Sequence, residues 1–153
     1  MHRPFSLLII LLTAASAESA DWPHWRGPAR DDISSEPSGW DGNTWIKGEL
    51  WKASVGEGSS SPLVIGDRVY LTGWSKNLDT LVCLDANTGK EQWRQSYASP
   101  RYGRHAVGDQ KLYSGACSTP EYDSATGLLF TLGVDGNLKA WDTQNKGRNV
   151  WSL

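Results

Sequence analysis

The residues with the most suggestive chemistry lie at positions 83–93, in the stretch CLDANTGKEQW. Asp85 and Trp93 raise the question of whether this stretch performs catalysis or builds structure. Asp85 and Thr88 suit hydrogen bonds to the backbone amides of a turn, and Gly89 suits a positive φ. Trp93 supplies a broad apolar plate that can stack on a neighbouring sheet. We therefore interpret the stretch as structural and predict no catalytic residue in it.

Other patterns that would indicate an enzyme or a metal site are weak. A zinc site needs three or four clustered ligands, but beyond residue 17 the sequence has only His24 and His105. GEGSSS at 56–61 does not match the Gly-x-Ser-x-Gly motif of serine hydrolases. Asp31, Asp32 and Asp41 lack the spacing of a calcium loop. No cofactor or metal is evident in these residues, so whether the protein is an enzyme stays open and we favour a non-catalytic protein.

The most exposed candidate for ligand binding is a basic and aromatic segment between Arg94 and Tyr113. Its central residues are Arg101, Tyr102, Arg104 and His105. Such a set can bind an anionic or sugar-like ligand or a partner protein. A solvated loop between two repeats is the alternative, and we favour it.

A second aromatic and basic stretch, WPHWRGPAR, lies near the N-terminus. Trp22, Trp25, Arg26 and Arg30 can form a recognition patch on an exported surface. Trp-Pro and Gly-Pro dipeptides also favour an extended segment that packs across a fold. We favour packing.

The first 17 residues have the layout of a secretory signal peptide, with a basic start, an apolar run and small residues at 15–17. We expect cleavage after Ala17, no transmembrane segment in the mature protein and, since no cysteine lies near the site, no lipid anchor. The mature chain then has 17 acidic and 14 basic side chains. This balance argues against a nucleic-acid partner. The predicted location is the periplasm or cell envelope.

The composition is rich in tryptophan, with nine, and in glycine, with sixteen. Large rigid side chains with many turn residues suggest repeated docking of sheet against sheet. Cys83 and Cys117 are too few for a disulfide scaffold. Whether the two cysteines pair stays open, and small buried thiols are the favoured interpretation.

Internal repeats decide the predicted fold. Trp51 and Trp93 are 42 residues apart, within the range of a four-stranded propeller blade. Trp93 and Trp151 are 58 residues apart, and the longer interval indicates an insertion between two repeats. Turn signatures at 66–67 and 135–136 predict hairpins within the repeats.

We predict an all-β fold, a β-propeller of four-stranded antiparallel blades with about two blades present and an incomplete ring. A propeller uses roughly four to eight blades, so we expect an N-terminal piece of a longer protein. The predicted regions are a signal peptide at 1–17, an extended Trp/Pro/Gly-rich segment at 18–48, a leading strand at 49–55, a blade at 57–97, an inserted loop at 98–114 and a second blade at 115–153.

The repeat resembles that of the pyrroloquinoline-quinone (PQQ)-type β-propellers, written Ala-x-Asp-x-x-Thr-Gly-Lys-x-x-Trp. Cys83 stands in place of the alanine, and Arg148 replaces the lysine in the second copy, which has one extra residue. The matching residues are Asp85, Thr88, Gly89, Lys90 and Trp93 in the first copy and Ala140, Asp142, Gly147 and Trp151 in the second.

The resemblance implies two alternative functions. BamB-like members are non-catalytic scaffolds or binding modules of the bacterial envelope, which implies envelope proteins as partners. Quinoprotein dehydrogenases of this fold bind PQQ and calcium and oxidise alcohols or sugars. Their adjacent cysteines are missing from this sequence, so PQQ and calcium belong only to the second reading, with an active site in further blades. We favour the scaffold.

Overall fold

The computed structural model describes residues 20–43, 48–100 and 115–153. Within these ranges the chain folds into two four-stranded antiparallel sheets with strands ordered as in the sequence. This confirms the predicted all-β fold. The first sheet contains β1 (Leu63–Ile65), β2 (Arg68–Ser75), β3 (Leu78–Asp85) and β4 (Glu91–Ala98). The second contains β5 (Glu121–Asp123), β6 (Leu128–Leu132), β7 (Leu138–Asp142) and β8 (Arg148–Ser152), with a short 3₁₀ helix at Thr143–Asn145.

Short turns join the strands of each sheet. Gly66 and Asp67 connect β1 to β2 in a two-residue loop, since Ile65 pairs with Arg68. The connection between β2 and β3 is also two residues long. Its residues Lys76 and Asn77 both have positive φ, 51° and 64°, as a type I′ hairpin requires. The loop between β6 and β7 is longer and runs from 133 to 137.

The two sheets carry matching irregularities. The pairing of β3 with β4 shifts register between Cys83 and Leu84, and the pairing of β7 with β8 shifts between Ala140 and Trp141. Bulges bend a strand and increase its local twist. The same distortion therefore precedes the same turn in both repeats.

One apolar cluster lies between the sheets, and a second covers the other face of the first sheet. The inter-sheet cluster contains Leu63, Tyr70, Leu81, Cys83, Trp93, Leu129 and Trp141. The second cluster contains Val69, Val82 and Leu84, with Trp51 and Val55 packed against them. Six consecutive residues of β3, from 79 to 84, are buried. A strand covered on both faces explains the nearly continuous apolar run in this part of the sequence.

Among the described residues none pairs with 49–55 as a strand, and the predicted leading strand stays a prediction. A strand needs a partner for its backbone groups, and the segment instead lies across a sheet face through Trp51 and Val55. After this segment, pairing resumes at Glu57, which bridges Trp74, and at Gly58, which bridges Ala116.

Candidate functional site

The Asp85 side chain closes the turn between β3 and β4. Its Oδ1 accepts hydrogen bonds from the backbone N–H of Asn87 (3.1 Å) and Thr88 (2.8 Å) and from the Thr88 hydroxyl (2.8 Å). The Thr88 hydroxyl, followed by the two amides, lowers the pKa of the Asp85 carboxyl. The Lys90 amide donates to Thr88 Oγ1 (3.3 Å). These polar groups are engaged with their own turn.

The second copy of the motif makes an equivalent turn with one more residue. Asp142 caps the 3₁₀ helix, because its Oδ1 accepts from the amides of Gln144 (3.0 Å) and Asn145 (3.2 Å). The Gly147 amide donates to the Asp142 carbonyl (2.9 Å), as the Gly89 amide does to Asp85 (2.8 Å) in the first copy.

A third turn of this type, which the sequence interpretation missed, joins β5 to β6. Asp123 Oδ1 accepts from the Ala125 amide (3.0 Å), and Asp123 Oδ2 accepts from the Thr126 hydroxyl (2.6 Å). The Thr126 hydroxyl is the main cause of the lowered pKa of Asp123. The signal was present in the sequence, since DSATG at 123–127 has the same Asp-x-x-Thr-Gly pattern as DANTG at 85–89.

Tryptophans dock on the glycines of these turns and form two joints, which we call the first joint (Trp51 on Gly89) and the second joint (Trp93 on Gly147). Both glycines have φ of 68°. A Cβ added to Gly89 would lie 2.5 Å from Trp51 Cε3, and one added to Gly147 would lie 2.7 Å from Trp93 Cε3. Glycine is therefore needed for both conformation and space.

The remaining motif tryptophan, Trp151, lies on the outward face of the second sheet. Its ring is 5.9 Å from that of Phe130, and the residue is 38% exposed, against 9% for Trp93. Trp151 holds the same position after its turn as Trp93 does.

The N-terminal residues 20–32, here called the clasp, connect the first strands of both sheets. Trp22 exchanges backbone hydrogen bonds with Val64 (2.7 and 3.1 Å), and the Tyr122 amide donates to the Pro23 carbonyl (3.3 Å). The Glu121 carboxylate of β5 accepts a hydrogen bond from the Arg30 guanidinium, and its Oε1 lies 2.8 Å from His24 Nδ1.

The side chains of the WPHWRGPAR stretch are divided between packing and solvent. Trp22 packs against Gly27. Trp25 is 58% exposed, with the Arg26 guanidinium 5.7 Å from its ring.

Some predicted features lie outside the described residues. These are the signal peptide at 1–17 and the loop residues Arg101, Tyr102, Arg104 and His105. In the described part of the chain, no helix is long and apolar enough to cross a membrane.

No disulfide joins the two cysteines. Cys83 is buried, which raises the pKa of its thiol to about 11, whereas Cys117 is exposed.

Within 20–43, 48–100 and 115–153, no three His, Cys, Asp or Glu side chains come together as metal ligands.

Comparison with known proteins gives a family match over both sheets. A family model described as outer membrane protein assembly factor BamB matches residues 47–153. The curated BamB of Burkholderia pseudomallei (strain K96243) is 39% identical over 105 residues, which are 65% of this chain and 24% of that protein. The chain thus spans about a quarter of this relative's length. A solved europium-containing methanol dehydrogenase has a TM-score of 0.36 at 17% identity, over 67% of this chain and 26% of the dehydrogenase.

Proposed function

We propose, since the chain belongs to the family of the outer membrane protein assembly factor BamB, that it is an exported, non-catalytic scaffold of the bacterial cell envelope. Its partners in this proposal are envelope proteins, which it holds during assembly of the outer membrane. The proposed location is the periplasm, without a lipid anchor. The observation that carries the proposal is the family match, which spans both sheets and the turns between them.

The contacts of the motif residues support a scaffold. Asp85, Thr88 and Asp142 direct their polar atoms to turn amides, and Trp93 is committed to the second joint. Side chains used in this way position one sheet against the next. Broad, rigid surfaces that repeat in one direction are the usual binding surfaces of repeat proteins.

The test is capture of partners by the full-length protein in the envelope of its own bacterium. A tagged protein, cross-linked in cells and purified from the envelope fraction, should co-purify with outer-membrane assembly proteins. Deletion of its gene should lower the amounts of folded outer-membrane proteins. A deletion strain with unchanged outer-membrane proteins, together with capture no greater than that of a tagged unrelated periplasmic protein, would refute the proposal.

A second measurement on the same protein distinguishes the dehydrogenase alternative from the scaffold proposal. Full-length protein is titrated with PQQ and calcium and then assayed with an artificial electron acceptor and a series of alcohols and sugars. Saturable binding of PQQ with turnover of an alcohol or sugar would show that the protein is an enzyme and would refute the scaffold proposal. The scaffold proposal expects neither.

A further inference from the structure

An open groove lies beside the second joint and is lined by residues of both sheets. We call it the joint groove, and its volume is about 230 Å³. This volume is below the usual range of small-molecule sites and suits a single side chain of a peptide. The lining residues are Arg68, Gln92 and Trp93 from the first sheet and Thr143, Gln144 and Lys146 from the second.

The groove differs from the first joint in how the tryptophan N–H is used. At the first joint, Trp51 Nε1 donates to the carbonyl of Ala86 (2.8 Å). The equivalent carbonyl at the second joint is that of Thr143, and it accepts from Arg68 Nη1 (3.3 Å) instead. The indole N–H of Trp93 makes no hydrogen bond to any of the described residues. An apolar ring with an unused donor is thus part of the groove wall.

The extra residue of the second turn adds a positive charge to the groove. Lys146 has φ of 52°, and its carbonyl accepts from Gln95 Nε2 (3.0 Å), which fixes its backbone to the first sheet. Its exposed side chain lines the groove together with Arg68. The first turn has no such residue, since DANTG is one residue shorter than DTQNKG.

No carboxylate of the described residues lines the groove. The nearest one to Arg68 is Asp67, 3.7 Å from its Nε and 76% exposed. The phenol of Tyr70, which is hydrogen-bonded to Arg68, adds no negative charge, since burial raises its pKa to about 12. The groove therefore combines two cations with N–H donors, and positive charge predominates.

We propose that the joint groove binds the carboxylate of an acidic peptide segment. Arg68 and Lys146 pair with the carboxylate, and the Trp93 indole N–H donates a further hydrogen bond. The side-chain amides of Gln92 and Gln144, which can both donate and accept, form hydrogen bonds with the peptide's backbone. A guanidinium fork matches a planar carboxylate better than an ammonium alone does. This site rests on the groove geometry and is independent of the proposed assembly function.

The test uses calorimetric titration of the full-length protein at low salt with two short blocked peptides, one with central glutamates and one with glutamines at those positions. The glutamate peptide should bind at least about tenfold more tightly, because only it supplies a charged acceptor. Its affinity should fall as salt is added. Equal affinity for the two peptides would overturn the proposal, as would inorganic phosphate binding as tightly as the glutamate peptide.

A matched pair of variants locates the site. Lys146→Gln should weaken binding of the glutamate peptide about threefold to fivefold, the range of one partly exposed ion pair. Lys76→Gln is the control, since Lys76 is also exposed and has nearly the same φ, 51°, but lies in the turn between β2 and β3. Equal losses in the two variants, or none in Lys146→Gln, would show that the peptide does not bind in the joint groove.

Discussion

Two glycines under tryptophan rings determine how closely successive sheets can approach. A side chain at Gly147 would have to adopt φ of 68° and would meet the Trp93 ring. Gly136 has φ of 87° but open space around it. Comparing a substitution at Gly147 with one at Gly136 therefore separates the cost of backbone strain from the cost of disrupting the second joint.

We predict that Gly147→Ala lowers the free energy of unfolding by about 1 to 3 kcal/mol more than Gly136→Ala does. Both variants carry left-handed strain of roughly 1 to 2 kcal/mol, but only Gly147→Ala also forces overpacking. Urea unfolding followed by circular dichroism measures the difference. Equal losses of stability would mean that the Trp93 ring moves aside without cost.

The aspartates of the turns make the stability of the fold depend on pH in the acid range. The pKa of Asp85 is lower in the folded chain than its ordinary value, so the folded state binds fewer protons than the unfolded state. The resulting stabilisation is present above the unfolded value, about 3.9, and is lost as the pH falls through the folded value. Thr88→Val removes the main hydrogen-bond donor and should make the loss of stability below about pH 4 shallower. Unfolding curves at a series of acid pH values test this, and parallel curves for the variant and the parent would contradict it.

At the scale of elements, the sequence was informative where a turn has a compositional signature. Gly66-Asp67 and the Asp-x-x-Thr-Gly stretch at 85–89 mark turns through residue types that suit them. Lys76-Asn77 forms an equally tight turn without such a signature, because the pairing of two long strands imposes the conformation. The hydrogen bond from the Arg68 guanidinium to the Thr143 carbonyl was not predictable from the sequence, since these residues lie 75 positions apart.

The clasp should be separable from the sheets by a single substitution. A Cβ at Gly27 would lie 2.6 Å from the Trp22 ring, whereas one at Gly39 would meet nothing within 4 Å. We expect Gly27→Val to speed hydrogen exchange of the Val64 amide, whose acceptor is the Trp22 carbonyl, while amides of β3 stay protected. Gly39→Val, which also has a positive φ of 66°, should leave Val64 protected. Unchanged exchange in Gly27→Val would show that Trp22 is not what protects this amide.

At the scale of the whole molecule, the two sheets share one apolar cluster. Leu129 of β6 is fully buried in it beside Cys83 and Leu81 of the first sheet. The sheets should therefore unfold together rather than independently.

Leu129→Ala should lower the free energy of unfolding by about 2 to 5 kcal/mol through the cavity it leaves. Leu132→Ala, on the same strand but 50% exposed, should change it by less than about 0.5 kcal/mol. Hydrogen exchange in both sheets is the measurement. Loss of protection confined to β5–β8 would show that the first sheet is stable alone.

The clasp also sets an order of events in folding. Arg30 and its partner Glu121 are 91 positions apart, and closing so long a loop is entropically costly until the intervening chain is folded. The ribosome synthesises residues 20–32 before it synthesises the residues of β5. We therefore expect the contact of this segment with Glu121 to form after both sheets have folded, so that its closure would report their completion.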